Sequence, residues 1–147
     1  MKKKILVLSM ALVISLLTVF VGSSDVSAYS STRDLKMNSN WGYAGTSHMQ
    51  VNDSGGSSTI QVTYIPHRQS DVWVKATVQR YYSGKWHNIE SKSGSAKNYA
   101  GATYKNFNAA FYGYANKKQK VRVRFQLSDP SDKSDILQTG YSYSWVK

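Results

Sequence analysis

Residues 120–127 read KVRVRFQL, so that Val121, Val123, Phe125 and Leu127 alternate with Lys120, Arg122, Arg124 and Gln126. A period of two is that of a β-strand with one face in a core and the other in water. The same period runs through STIQVTYI (58–65), where Ile60, Val62 and Tyr64 oppose Thr59, Gln61 and Thr63. It is clearest in DVWVKATVQRYY (71–82), where Val72, Val74, Ala76 and Val78 oppose Trp73, Lys75, Thr77, Gln79 and Tyr81. Ser83-Gly84 then leads into KWHNIE (85–90). A two-residue connection with a Gly predicts a tight hairpin whose turn needs positive φ. Its register sets Tyr82 against Lys85, Tyr81 against Trp86 and Arg80 against His87.

Fainter strands are expected near Arg33–Asn38 and His48–Asn52. TYKNFNAAFYGYA (103–115), apolar on both sides, predicts a central or bent strand. LQTGYSYSWV (137–146) predicts the last one, with Tyr141, Tyr143 and Trp145 closing the core from a shared face. The polar runs 52–58, 91–98, 115–119 and 129–135 read as loops or turns, and Pro66 ends pairing after Ile65 because it has no N–H for the ladder. No helical period and no internal repeat occur. About eight short strands predict an all-β fold, a single antiparallel β-sandwich over residues 29–147.

The first 28 residues follow a different pattern. Lys2, Lys3 and Lys4 precede an apolar run from Ile5 to Val21, and small residues end in Val26-Ser27-Ala28. That order is the mark of a secretory signal peptide, with cleavage expected after Ala28. An uncleaved anchor fits less well, because the run is short of the ~20 residues a spanning helix needs. The expected product is a secreted domain, and the short Lys-rich leader has the style of a Gram-positive bacterium. The chain has no Cys, which excludes disulfides, a thiol nucleophile and a lipidated cysteine. The domain must therefore stand on its core alone.

Charge adds a partner class. Of 19 Lys and Arg and 8 Asp and Glu, the leader takes three lysines and Asp25, leaving sixteen basic residues against seven acidic ones. Such a field favours anionic partners: a cell-wall polymer, a lipid-linked wall precursor, an anionic membrane surface or an acidic protein. Export argues against nucleic acid. Lys120, Arg122 and Arg124, with Lys117 and Lys118 before them, would supply attraction. A cation at an anionic surface contributes about 1 kcal/mol, so three give roughly 3 kcal/mol, which is millimolar binding or weaker. Specific recognition therefore needs something beside the row. All eleven Tyr and all four Trp lie in the domain, more than one small core needs. Trp73, Lys75, Tyr81 and Trp86 are expected to face outward, since the valines already fill the other side of their strand. Rings with a polar tip suit sugars.

Catalytic and metal chemistry find little purchase. His48, His67 and His87 fall on different segments without H-x-H or H-E-x-x-H spacing, and no serine sits in G-x-S-x-G. His87 and Glu90, three apart, point to opposite faces of a strand. Asp129, Asp132 and Asp135 recur every third residue, but with Pro130 and Lys133 in place of the Gly of a calcium loop they read as turn caps. No catalytic residue, metal or cofactor is expected. A small hydrolase would require one of the histidines beside an acid in a cleft.

VWVKATVQR (72–80) resembles a V-W-x-K-A-T-V-x-R strand of the β-sandwich lactococcin bacteriocins, and Asn40-Trp41-Gly42-Tyr43 is similar to that family's early W-x-x-G region. In the family the run lies near the C-terminus, whereas here residues 81–147 follow it. The resemblance implies a small secreted cationic β-sandwich that acts at the cell envelope by binding the lipid-linked wall precursor. The expectation is a monomeric, non-enzymatic, envelope-binding and bacteriocin-like antibacterial protein. The alternative is an inhibitor or immunity-type module for an acidic exported partner.

Overall fold

Every strand with a clean period of two becomes part of one of two sheets. The computed structural model describes residues 28–42, 44–56, 58–67, 69–99 and 105–147, so the leader up to Ser27 lies outside the described residues. In chain order the elements are β1 (Tyr29–Lys36), a 3-10 turn (Ser39–Trp41), β2 (Thr46–Asp53), β3 (Ile60–Ile65), β4 (Gln69–Tyr82), β5 (Lys85–Tyr99), β6 (Phe107–Phe111), β7 (Lys120–Asp129), β8 (Asp132–Tyr141) and β9 (Trp145–Val146). One sheet has the order β1-β2-β3-β6 and the other β5-β4-β7-β8, with β9 pairing β7 where β8 has left it. All pairings are antiparallel.

The valines of the sequence pattern meet between the sheets. Val72, Val74, Ala76 and Val78 of β4 and Val121, Val123, Phe125 and Leu127 of β7 are fully buried, facing Met49, Val51, Ile60, Val62 and Tyr64 of the other sheet. The β4–β5 hairpin has the anticipated register, Arg80 to His87, Tyr81 to Trp86 and Tyr82 to Lys85. Ser83 (φ 50°) and Gly84 (φ 76°) make its turn, the positive φ pair that matches strand twist.

Four expectations change. Residues 91–98 are strand, not linker: β4 offers a ladder along its whole length, and β5 pairs with it from Lys85 to Tyr99. Small residues there have a packing reason. A Cβ on Gly94 would stand 2.9 Å from the Phe107 ring, so the glycine lets β6 close over β5. Within the described part of 103–115, only Phe107–Phe111 is strand, and it is an edge strand rather than a central one. Its double-sided apolarity serves closure of the sandwich, with Lys92 Nζ donating to Ala110 O from the facing edge. The 129–135 turn shrinks to Pro130-Ser131, because β8 already starts at Asp132. Two of the three carboxylates cap local backbone as expected: Asp129 Oδ1 accepts from Ser131 N at 2.8 Å in the turn and Asp132 Oδ1 from Ser134 N at 3.1 Å at the start of β8, while Asp135 takes part through its own N–H, which donates to Asp132 Oδ1 at 3.3 Å. These bonds, the side-chain ones from Ser131 and Ser134 foremost, hold both carboxyls below the ordinary aspartate value.

The fourth change concerns 137–146, which is two strands. Ser142 takes over the ladder with Val123, donating its N–H to Val123 O and accepting Val123 N–H at its Oγ, both at 2.9 Å. The chain is thereby reset, and Tyr141, Tyr143 and Trp145 do not share a face. Trp145 is buried, Tyr141 half-buried on the outer side and Tyr143 exposed. The opposite edge of the sandwich is laced by side chains: Gln138 Nε2 donates to Lys36 O (2.7 Å), while its Oε1 accepts from Trp41 Nε1 (3.0 Å) and Asn38 N (3.1 Å).

Candidate functional site: an aromatic and cationic sheet face

The register between β4 and β7 decides where the basic row lies. Gln79 pairs with Arg122, Thr77 with Arg124, Lys75 with Gln126 and Trp73 with Ser128. The outward residues of β4 and β7 are therefore neighbours on the outer face of the five-stranded sheet. β5 extends the face on one side through Trp86, Asn88, Ser91, Ser93 and Ser95, and β8 on the other, where Tyr141 pairs with Arg124 and Thr139 with Gln126.

Two clusters stand at opposite ends of this face. At one end the Arg122 guanidinium is held between two rings, its Cζ 4.1 Å from the centre of Trp86 and 4.2 Å from that of Tyr141. Its Nε donates to Gln79 Oε1 (2.8 Å), and Gln79 Nε2 donates to Asn88 Oδ1 (2.7 Å), a relay across three strands. Tyr81 meets Trp86 edge-on at 5.3 Å. Arg124 lies one position inward along the row, half-buried, with a buried Nε that has no hydrogen-bond partner. Burial pushes the Arg122 guanidinium below the ordinary arginine value; Tyr141 opposes that and the Arg124 charge adds to it. At the other end Lys133 Nζ sits 4.3 Å from the ring centre of Trp73. Trp73 and Tyr81 are eight positions apart on β4, roughly 26 Å of strand. Between them lie Lys75, exposed, and the bonded pair Thr77 and Ser91 (2.8 Å).

Thus Trp73, Lys75, Tyr81 and Trp86 share a face, but as a band with two ends rather than as one cluster. Tyr81 is exposed, while Trp73 and Trp86 are half-buried beneath their cations. Lys120, Arg122 and Arg124 join the band at the Trp86 end. Lys117 and Lys118 do not belong to the strand row: they precede β7, Lys117 N donating to Lys147 O (3.0 Å) and Lys118 taking a positive φ of 52°. Sequence reasoning missed Lys133, Tyr141 and Tyr143, the last of which lies under Arg33 at 5.1 Å. A two-residue period through 141–145 pointed these tyrosines inward, and only the break at Ser142 turns them out.

The histidines are dispersed. His48 on β2 bonds Asp34 through Nδ1 (2.7 Å), His67 lies between β3 and β4, and His87 on β5 stacks on Tyr82 at 3.7 Å. No three His, Asp or Glu side chains are grouped to hold a metal ion among the described residues. No helix among them is long and apolar enough to cross a membrane. No family model, no curated protein and no solved structure matches the chain.

Proposed function

We propose that the protein is secreted and binds an anionic component of a bacterial cell envelope through the outer face of its five-stranded sheet, performing no catalysis itself. The observation that carries this reading is the β4–β7 register, which sets Arg122 and Arg124 beside Gln79 and Thr77 on the face of Trp73, Lys75, Tyr81 and Trp86. The face suits an extended polymer better than a compact ligand. It has a ring and a cation at each end and a hydroxyl and ammonium band between. A cation stacked on an indole remains charged and keeps N–H edges for phosphate or carboxylate, while an exposed Tyr offers an apolar plane and a polar tip. Cell-wall polymer and lipid-linked wall precursor are the ligands this favours, and antibacterial action is the consequence that the resemblance of β4 to the bacteriocin strand suggests.

The test replaces Lys120, Arg122 and Arg124 together by Gln and measures co-sedimentation with purified cell walls. At about 1 kcal/mol per cation, the apparent affinity is expected to fall roughly 100-fold. Because Arg122 also packs between Trp86 and Tyr141, the thermal melt is recorded beside it. Undiminished sedimentation of a folded triple variant would sink the proposal.

A second reading is favoured by composition. Trp, Tyr and Arg are the residue types that dominate protein–protein hot spots, and here they are packed together. An acidic exported protein would fit the same face. Pull-down from culture supernatant separates the two: one stoichiometric acidic partner supports this reading, and retention on walls alone supports the first.

A further inference from the structure

The inward row of β4 does not end in an apolar residue. After Val72, Val74, Ala76 and Val78 comes Arg80, only 4% exposed. It lies at the end of the sandwich where the segment leaving β6 folds past the β4–β5 hairpin, and the two enclose a cleft of about 670 Å³. That size is ordinary for a small-molecule site. Arg80, Glu90 and Tyr114 line it together with Tyr82, Ile89 and Tyr112, and Lys117 stands beside them.

The bonding within the cleft is incomplete in one particular way. Arg80 Nη2 donates to Ala115 O (2.8 Å), and its Cζ lies 5.9 Å from the Tyr114 ring centre. Its Nη1 is buried with no hydrogen-bond partner. The one carboxylate that lines the cleft among the described residues is engaged elsewhere: Glu90 Oε2 accepts the Tyr114 hydroxyl (2.9 Å), and Oε1 is 3.9 Å from Lys92 Nζ. Burial, the bond to Glu90 and the Glu90 charge all push the Tyr114 phenol up, so it stays a neutral donor. No ion pair joins Arg80 to an acid among the described residues. A guanidinium is permanently charged and presents its N–H groups as a planar fork. Burying it without a carboxylate costs several kcal/mol, a cost that a bidentate oxyanion offsets. The walls mix polar and apolar groups and are open to solvent, and Tyr82, Ile89 and Tyr112 are all among the large exposed hydrophobic side chains of the domain.

We propose that this cleft is a second binding site, distinct from the outer sheet face, for a small ligand carrying one oxyanion on a sugar-sized body, with the Arg80 fork taking the anion and the rings of Tyr82 and Tyr112 the body. The oxyanion is a carboxylate or a phosphate, and two probes separate these sources. The full secreted chain is titrated with N-acetylmuramic acid and with glycerol 3-phosphate while its ¹H–¹⁵N spectrum is followed, including the arginine Nε–Hε signals. N-acetylglucosamine and glycerol serve as uncharged controls. Saturable shifts at Arg80 and at the Gly113 and Lys117 amides are expected with at least one charged probe and neither control. A response to the first probe alone assigns a carboxylate sugar, and to the second alone a phosphate. Arg80→Lys, which keeps the charge and loses the fork, should weaken binding at least tenfold. If it does not fold, Tyr112→Glu decides, because Tyr112 is 69% exposed and a carboxylate there repels the ligand without touching the core. The variant lacking Lys120, Arg122 and Arg124 should bind both probes as the parent does, so that failure here and failure of the envelope reading are told apart. Absence of saturable shifts at Arg80 with both charged probes, equal response to the controls, or undiminished binding by Tyr112→Glu would overturn the proposal.

Discussion

Replacing Asp53 by Ala should destabilise the domain by about 3–5 kcal/mol, a large share of the 5–15 kcal/mol typical of a folded domain. Asp53 ends β2 and is 3% exposed. Its Oδ1 accepts from Lys147 Nζ at 2.7 Å and from Gly55 N at 3.2 Å, and its Oδ2 accepts from Trp145 Nε1 at 2.9 Å. Lys147 is itself buried, and its backbone pairs with Gln119 in both directions at 3.0 Å. Trp145 stacks on Tyr29 with ring centres 4.8 Å apart. One carboxylate thus ties β1 and β2 of one sheet to β9 of the other. Removing it takes the carboxylate away from a buried ammonium and a buried indole N–H, both already drawn out of water. The measurement is urea unfolding of Asp53→Ala, Asp53→Asn and the double variant Asp53→Ala/Lys147→Met. The double variant should recover most of the loss, because an apolar pair in place of a buried ion pair is close to neutral. A single variant within 1 kcal/mol of the parent would show that the pair is not what joins the sheets.

Asp53 also shows where sequence reading stops. In the chain it stands second in the polar run 52–58 and looks like loop punctuation, and its partners in the other sheet are some 92 to 94 positions away. Strand periodicity reports only which side of a strand is wet, and for β3, β4 and β7 that was enough to specify the core and, through the Ser83-Gly84 turn, one hairpin register. Pairing across the sandwich is outside its reach. Hence residues 91–98, with Ser, Lys and Gly, read as linker although β4 recruits them as a strand. Arg80 was legible as the next inward position of β4, yet its burial depends on Tyr114 and Ala115 folding over it. The outer face was half legible. Its cations and rings on β4, β5 and β7 follow from alternation, whereas Tyr141 and Lys133 enter only through the placement of β8.

The two sides of β4 consequently hold the same residue types in different surroundings. On the outside Arg122 has two ring faces and a glutamine to hold it, so its charge is rigidly displayed. On the inside Arg80 has one carbonyl and one ring, and an N–H without a partner. The first arrangement is complete as it stands and suits a surface that meets a polymer. The second leaves an N–H free for the oxyanion proposed above.

Phe125→Ala is expected to cost about 3–5 kcal/mol, the range for emptying an aromatic site in a core. Phe125 is fully buried in the middle of β7, and its neighbours in the sheet are Ala76 on β4 and Gly140 on β8. The row supplies bulk at one position only. Opposite stands Tyr64, with ring centres 6.2 Å apart. Gly140 is small for a reason of its own, since a Cβ there would lie 2.7 Å from Met49 Sδ and 2.9 Å from a Leu35 methyl. Deleting the ring therefore leaves a hole between two ladder-bonded backbones that cannot close in. Tyr64 is held by its own strand and by its contact with Met37. Phe125→Leu keeps most of the volume and should lose clearly less than Ala does. Urea midpoints of the two variants at constant slope are the measurement. If Ala costs no more than Leu, the neighbouring side chains repack freely and the core is looser than its burial implies.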